Sequence, residues 1–196
     1  MMRTIVTPAV LPPAALAELK QWLGISTTQD DDSLSSLLAM ALEVCADFTG
    51  MLPLLCTVEE SLGLHGQRPQ EPWSQAWPFA HPRWHRLTST PVKSVAAVAG
   101  LQGDGTPIAV EDVEIRIDAS GACQLRIDPP HGCTSALVTL EAGLAADWDH
   151  LPQPLHHGII RLAAHQYRMR ETAGADALPP ASVTALWRPY RRMRVT

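Results

Sequence analysis

Apolar side chains recur along this chain in two different periods, and the change of period divides it. Leu16, Leu19 and Leu23 fall on one face at helical steps, with Pro12 and Pro13 where a helix opens and Gly24 where it ends. A second helix is predicted from Ser33. Leu34, Leu37, Leu38, Ala41, Cys45 and Phe48 share one face, Ser36, Glu43 and Asp47 the other, and Thr49-Gly50 closes it. Asp30, Asp31 and Asp32 precede this helix, where carboxylates can cap free N–H groups and favour its positive end. A third helix is predicted after Pro152 and Pro154. Leu155, Ile159, Ile160, Ala163, Ala164 and Tyr167 keep its spacing, His157, Arg161, His165 and Arg168 form a basic stripe, and Gly174 follows. The first two helices are expected to pack on each other and on the third.

Between these helical ends the pattern turns to strands. Leu54 to Leu64 reads as one strand, and Val92, Val95 and Val98 mark the stretch from Pro91 to Ala99. Pro107 to Ile117 alternates, with Ile108, Val110, Val113, Ile115 and Ile117 against Glu114 and Arg116. Leu125 and Ile127 form a short strand closed by Pro129-Pro130, and Ala136 to Leu140 a last one, ending at Gly143. Gly100 to Gly105 has hairpin-turn chemistry. His65 to Arg86 holds Pro69, Pro72, Pro78 and Pro82, too many for regular structure, and Trp73, Trp77 and Trp84, which imply a pinned loop. The expected fold class is α+β: an N-terminal helix pair and a long C-terminal helix forming a helical bundle, with an inserted antiparallel β module. The expected divisions are residues 1–50 as the N-terminal helical part, 51–143 as the β-rich insertion with its Pro/Trp-rich loop, 144–174 as the C-terminal core helix and 175–196 as a docking tail.

Composition adds little: 196 residues, 46% hydrophobic and 18% charged, suit one ordinary globular core or one domain with an insertion. Charge adds more. The net charge is −5, yet residues 161–196 hold seven arginines against Glu171 and Asp176, leaving +5, while residues 1–160 carry −10. An acidic body with a basic end suggests directional contact with a partner and argues against a body that grips nucleic acid. Trp187 and Tyr190 lie among Leu186, Arg188, Pro189, Arg191 and Arg192. Trp, Tyr and Arg are the side chains that most often anchor interfaces. The segment therefore reads as a contact surface, held loosely by its own subunit after Pro179-Pro180 detach it. No stretch reaches the roughly 18 apolar residues of a membrane span, and the apolar run in Met1–Pro8 is too short for a signal peptide.

Candidate chemistry is sparse. Cys45, Cys56, Cys123 and Cys133 form no Cys-x-x-Cys pair. They read as free thiols of a reducing compartment, with a Cys123–Cys133 bridge as the alternative. Gly100 to Gly105 precedes neither a Lys-Ser/Thr pair nor a helix, so it is no phosphate loop. His81 and His85 flank Pro82 with no glutamate between them, and read as surface-loop residues rather than a metal site. His157 and His165 are two helical turns apart, about 12 Å, too far to share an ion. No catalytic constellation, metal site or cofactor site is expected.

The order of these features resembles the head–tail connector, or adaptor, proteins of long-tailed bacteriophages and phage-like gene transfer agents. Leu19-Lys20, Leu23 and Ile25, then Asp31-Asp32, Leu34 and Leu37-Leu38, resemble the opening helix, acidic cap and second helix of that family. Asp47-Phe48-Thr49-Gly50 is similar to the close of that helix, Pro91-Val92 and Val95 to Gly143 to its β insertion, and Leu151-Pro152 to Glu171 to its last long helix. Leu178-Pro179 with Leu186-Trp187-Arg188-Pro189-Tyr190-Arg191 is similar to its C-terminal tail. The resemblance implies no enzymatic activity and no cofactor. It implies a ring, usually of twelve subunits, beneath the portal. Its partners would be the portal protein, a stopper or tail-completion protein and further copies of itself. DNA would pass through without specific binding, and no membrane would be involved. The location implied is the head–tail junction of a virion or virion-like particle, and the bacterial cytoplasm during assembly. The portal interface implied is Leu186, Trp187, Arg188, Pro189, Tyr190, Arg191 and Arg192. The competing reading is a nucleic-acid-binding protein with Arg188, Arg191, Arg192 and Arg194 on phosphates. The acidic body counts against it.

Overall fold

The computed structural model describes residues 2–64, 84–128, 132–170 and 179–192. The described chain divides into two units, residues 1–8 with 56–142 and residues 9–55 with 143–196.

The first unit is built of strands. β1 (Met2–Thr7), β2 (Cys56–Gly63), β3 (Trp84–Arg86), β4 (Val92–Gln102), β5 (Pro107–Ala109), β6 (Val113–Ile117), β7 (Cys123–Ile127) and β8 (Cys133–Ala142) form two antiparallel sheets. One has the order β1-β2-β8-β4-β5, the other β3-β7-β6. Register follows the apolar alternation: Val58 lies between Ile5 on β1 and Leu140 on β8, and Leu140 also faces Val95 on β4. Val58, Leu62, Val138 and Leu140 are wholly buried, as are Cys123, Leu125 and Ile127 of the smaller sheet. The opposite face of that smaller sheet is polar. There Arg116 lies 4.2 Å from the centre of the Trp84 ring, and Arg126 pairs with Glu114.

Glu60 breaks the apolar rule. It occupies an inward position of β2 and is fully buried. The Thr88 and Ser89 N–H groups donate to its two carboxylate oxygens, at 2.5 and 3.0 Å. Two charge-assisted bonds thus tie residues 88–89 to β2 and offset the desolvation of the carboxylate. Glu60→Ala leaves both amides without their acceptor. It should cost about 3 kcal/mol and lower the melting temperature by roughly 8 °C, read by calorimetry. An unchanged melt would mean that this carboxylate does not hold the loop.

The second unit holds α1 (Pro13–Leu23), α2 (Asp31–Thr49), α3 (Gln153–Met169) and α4 (Ala181–Trp187), followed by a 3-10 turn at Arg188–Tyr190. Gly24 and Gly50 end the first two helices with φ of 73° and 70°, the left-handed cap glycine favours. The core gathers Leu19, Leu34, Leu38, Leu155 and Ile159 from the helices, and Leu54, Ala145, Trp148 and Leu151 from the non-helical segments beside them. Asp30 makes no side-chain cap on α2. It accepts a 2.6 Å hydrogen bond from the Tyr167 hydroxyl, and Asp31 meets Lys20 at 2.7 Å. The acidic run therefore joins the start of α2 to α3 and α1.

Several expectations change. The fold is α+β, but not a helical bundle completed by a long C-terminal helix: the described residues form four α-helices and two antiparallel sheets, and the strands carry a core of their own. The expected β module is present only in part as an insertion, because the N-terminal β1 joins its sheet. The last α-helix is the seven-residue α4, begun by Pro180. Trp84 to Arg86, expected in a loop, is β3. Trp73, Trp77, His81 and Gly174 lie outside the described residues. The four cysteines are free, and Cys123 and Cys133 belong to different sheets. Burial pushes the Cys45 thiol up to about 12 and, with the charge of Glu60, that of Cys123 to about 11, so neither is a ready nucleophile.

Candidate functional site

The C-terminal segment from Pro179 to Arg192 gathers the residues singled out as a contact surface. Proline lacks the N–H that a first turn leaves unused, and α4 starts directly after Pro180. The Pro180 carbonyl accepts the N–H groups of Val183 and Thr184 at 2.9 and 3.0 Å. Val183 and Trp187, four residues apart, share a face and are both buried.

Trp187 is 0% exposed. Its ring fills a slot on α3 that exists because residue 158 is glycine: a Cβ there would lie 2.1 Å from the indole nitrogen. The indole N–H donates to the Leu155 carbonyl at 3.4 Å, and the ring packs on Phe48 of α2 at 5.9 Å between centroids. Beyond it the chain turns through Arg188–Tyr190 and reaches the end of α2, where the Arg192 N–H donates to the Thr49 carbonyl at 2.8 Å. One of the orphan carbonyls of α2 is thereby satisfied. The Arg191 guanidinium lies 5.7 Å from the Phe48 ring centre.

The expectation of a loosely held segment is corrected by Trp187, which belongs to the core. Arg188, Pro189 and Arg191 are exposed, and Leu186, Tyr190 and Arg192 are half-buried. The segment is a fastened plate with a cationic, partly apolar outer surface. Chemically it can pair arginine forks with carboxylates and offer ring and proline surface to an apolar neighbour. The signal that was missed is Gly158. A glycine inside a helix costs about 1 kcal/mol relative to alanine, so its position called for a close neighbour. Among the described residues, no group of three or more His, Cys, Asp or Glu is arranged to hold a metal ion. His85 lies on β3.

Neither a family model nor a curated protein sequence matches the chain. Solved structures do. One similar chain comes from the neck of an empty GTA particle computed with C6 symmetry: 24% identical, covering 100% of this chain and 98% of that one, with a TM-score of 0.72. The chain is similar in fold to a gene transfer agent neck component. A chain from the virion of a native gene transfer agent (GTA) particle is 26% identical, with a TM-score of 0.70. A third, from the neck of a native GTA particle computed with C12 symmetry, is 25% identical, with a TM-score of 0.69. Both of these also cover 100% of this chain and 98% of their own.

Proposed function

We propose that this chain is a structural adaptor that forms a ring, a dodecamer, between the portal protein and the stopper or tail-completion protein of a phage or gene transfer agent particle. The observation that carries this reading is the match of the whole chain to components of a gene transfer agent particle, two of them from its neck. Such a match over the full length includes both the helical and the β-rich unit. The work is mechanical, without catalysis or cofactor. The charge distribution supports it, because a body of −10 over residues 1–160 repels phosphates and lets DNA pass unheld. The adaptor sits at the head–tail junction, and in the bacterial cytoplasm during assembly.

The portal-facing surface in this reading is Leu186 to Arg192. Arg188, Pro189 and Arg191 face outward, Leu186, Tyr190 and Arg192 flank them, and the buried Trp187 fixes their spacing from beneath. Preorganising the plate in this way lowers the entropy cost of docking. Co-expression with the portal protein of the same particle tests the reading. Native mass spectrometry should find a portal ring carrying a full ring of this chain. Separate elution of the two proteins at micromolar concentration would contradict it.

A further inference from the structure

The five-stranded sheet ends in a strand that does little to protect its edge. All six residues of β1 are exposed, with Met2 at 73%, Val6 at 51% and Ile5 at 40%. β1 pairs with β2 on one side, and no described strand lies on the other. An edge strand can offer N–H and C=O groups to another strand. Neither lysine nor proline interrupts Met2–Thr7, and its register shift falls late, between Ile5 and Thr7. The smaller sheet has a comparable edge at β6. Ile115 and Ile117 are 44% and 41% exposed, although their partners across β7, Leu125 and Cys123, are fully buried. The apolar face of that sheet runs out uncovered at β6.

We propose, resting on the reading of this chain as a ring subunit, that β1 of one copy pairs along β6 of the next. A ring of more than two copies needs a heterologous contact, in which two different patches of each subunit meet. A β1–β1 pair is self-complementary and stops at a dimer. The other described edges are poor receivers. β3 and β5 have three residues each, and β5 opens at Pro107, which has no N–H to donate. β6 has five residues and no proline, close to the six of β1. Met2 and Thr4 share one face of β1 ahead of its register shift, and Val113, Ile115 and Ile117 share one face of β6. Laid side by side, these faces cover each other's exposed apolar side chains in one joined sheet.

The test uses the full chain with the portal protein and two variants, Met2→Lys/Val6→Lys and Ile115→Lys/Ile117→Lys. Rings on the portal are counted by electron microscopy, and junctions in solution by mass photometry. Each variant should lose complete rings while keeping its melting temperature. An equimolar mixture should stop at dimers, because only one intact junction can form per pair. The milder Val6→Thr and Ile117→Thr cover the case in which lysine unfolds a sheet, and should shift assembly to at least tenfold higher concentration. Variants that fold and assemble like the parent overturn the edge pairing and leave the adaptor reading standing. If the parent chain forms no ring on its portal, the ring reading fails first and the edge pairing falls with it.

Discussion

Trp187→Ala should destabilise this chain by about 3–5 kcal/mol, the usual cost of emptying a large aromatic from a closed core. For a chain of this length that is a fall of roughly 10 °C in melting temperature. The reason is local. The ring is fully buried, occupies the slot opened by Gly158, rests on Phe48 and donates to the Leu155 carbonyl. A thermodynamic cycle with Gly158→Ala makes the expectation sharper. Alone, the added methyl collides with the indole and should cost about 1–3 kcal/mol, as overpacking does. In the Trp187→Ala background the slot is vacant, and the same methyl should stabilise α3 by up to about 1 kcal/mol through helix propensity. A change of sign between the two backgrounds is the mark of direct contact. Simple additivity would show that the ring does not sit over residue 158.

Reversing charge on the outer surface should do the opposite: large loss of docking, little loss of stability. Arg188 and Arg191 are exposed, and the only described contact of the Arg191 head is the Phe48 ring at 5.7 Å, worth about 0.5–1 kcal/mol at an exposed site. Arg188→Glu with Arg191→Glu should therefore melt within a few degrees of the parent. An interface arginine of the energetic kind contributes about 2 kcal/mol or more, so reversing two should weaken portal binding by at least about a thousandfold. Binding of the parent should also fall with added salt, as charge-led contacts do. Surface plasmon resonance against immobilised portal reads both effects. Unchanged affinity in the double variant would move the docking surface elsewhere.

The first three helices were legible because their apolar faces repeat, whereas α4 lies in the segment read as a docking tail. Leu34, Leu38, Ala41 and Cys45 are buried as the period requires, and Gly24 and Gly50 stop their helices in the left-handed conformation. β2 and β8 were read as strands, and in both of them buried residues alternate with more exposed ones. β1 was missed because all of its residues are exposed, so it shows no inside and outside to read. β3 is three residues beside a proline-rich stretch, too short to leave a pattern. Nothing near Glu60 in sequence marks it as buried, since the N–H groups that donate to it, at Thr88 and Ser89, are remote. The C-terminal segment is the more instructive case. Trp187 among arginines reads as an interface anchor by composition, and only the gap at Gly158, on another helix, reveals it as core. The arginines around it are outward or half-buried, so the cationic character read from the sequence survives, on a segment that is fastened rather than loose.

The measurement that bears most directly on the adaptor reading is cryo-electron microscopy of particles assembled with this chain, with its density located and its copies counted. Twelve copies are expected in one ring at the vertex through which DNA leaves, with Arg188 and Arg191 turned to the portal. One or two copies per vertex, or density spread over the capsid shell, would contradict it.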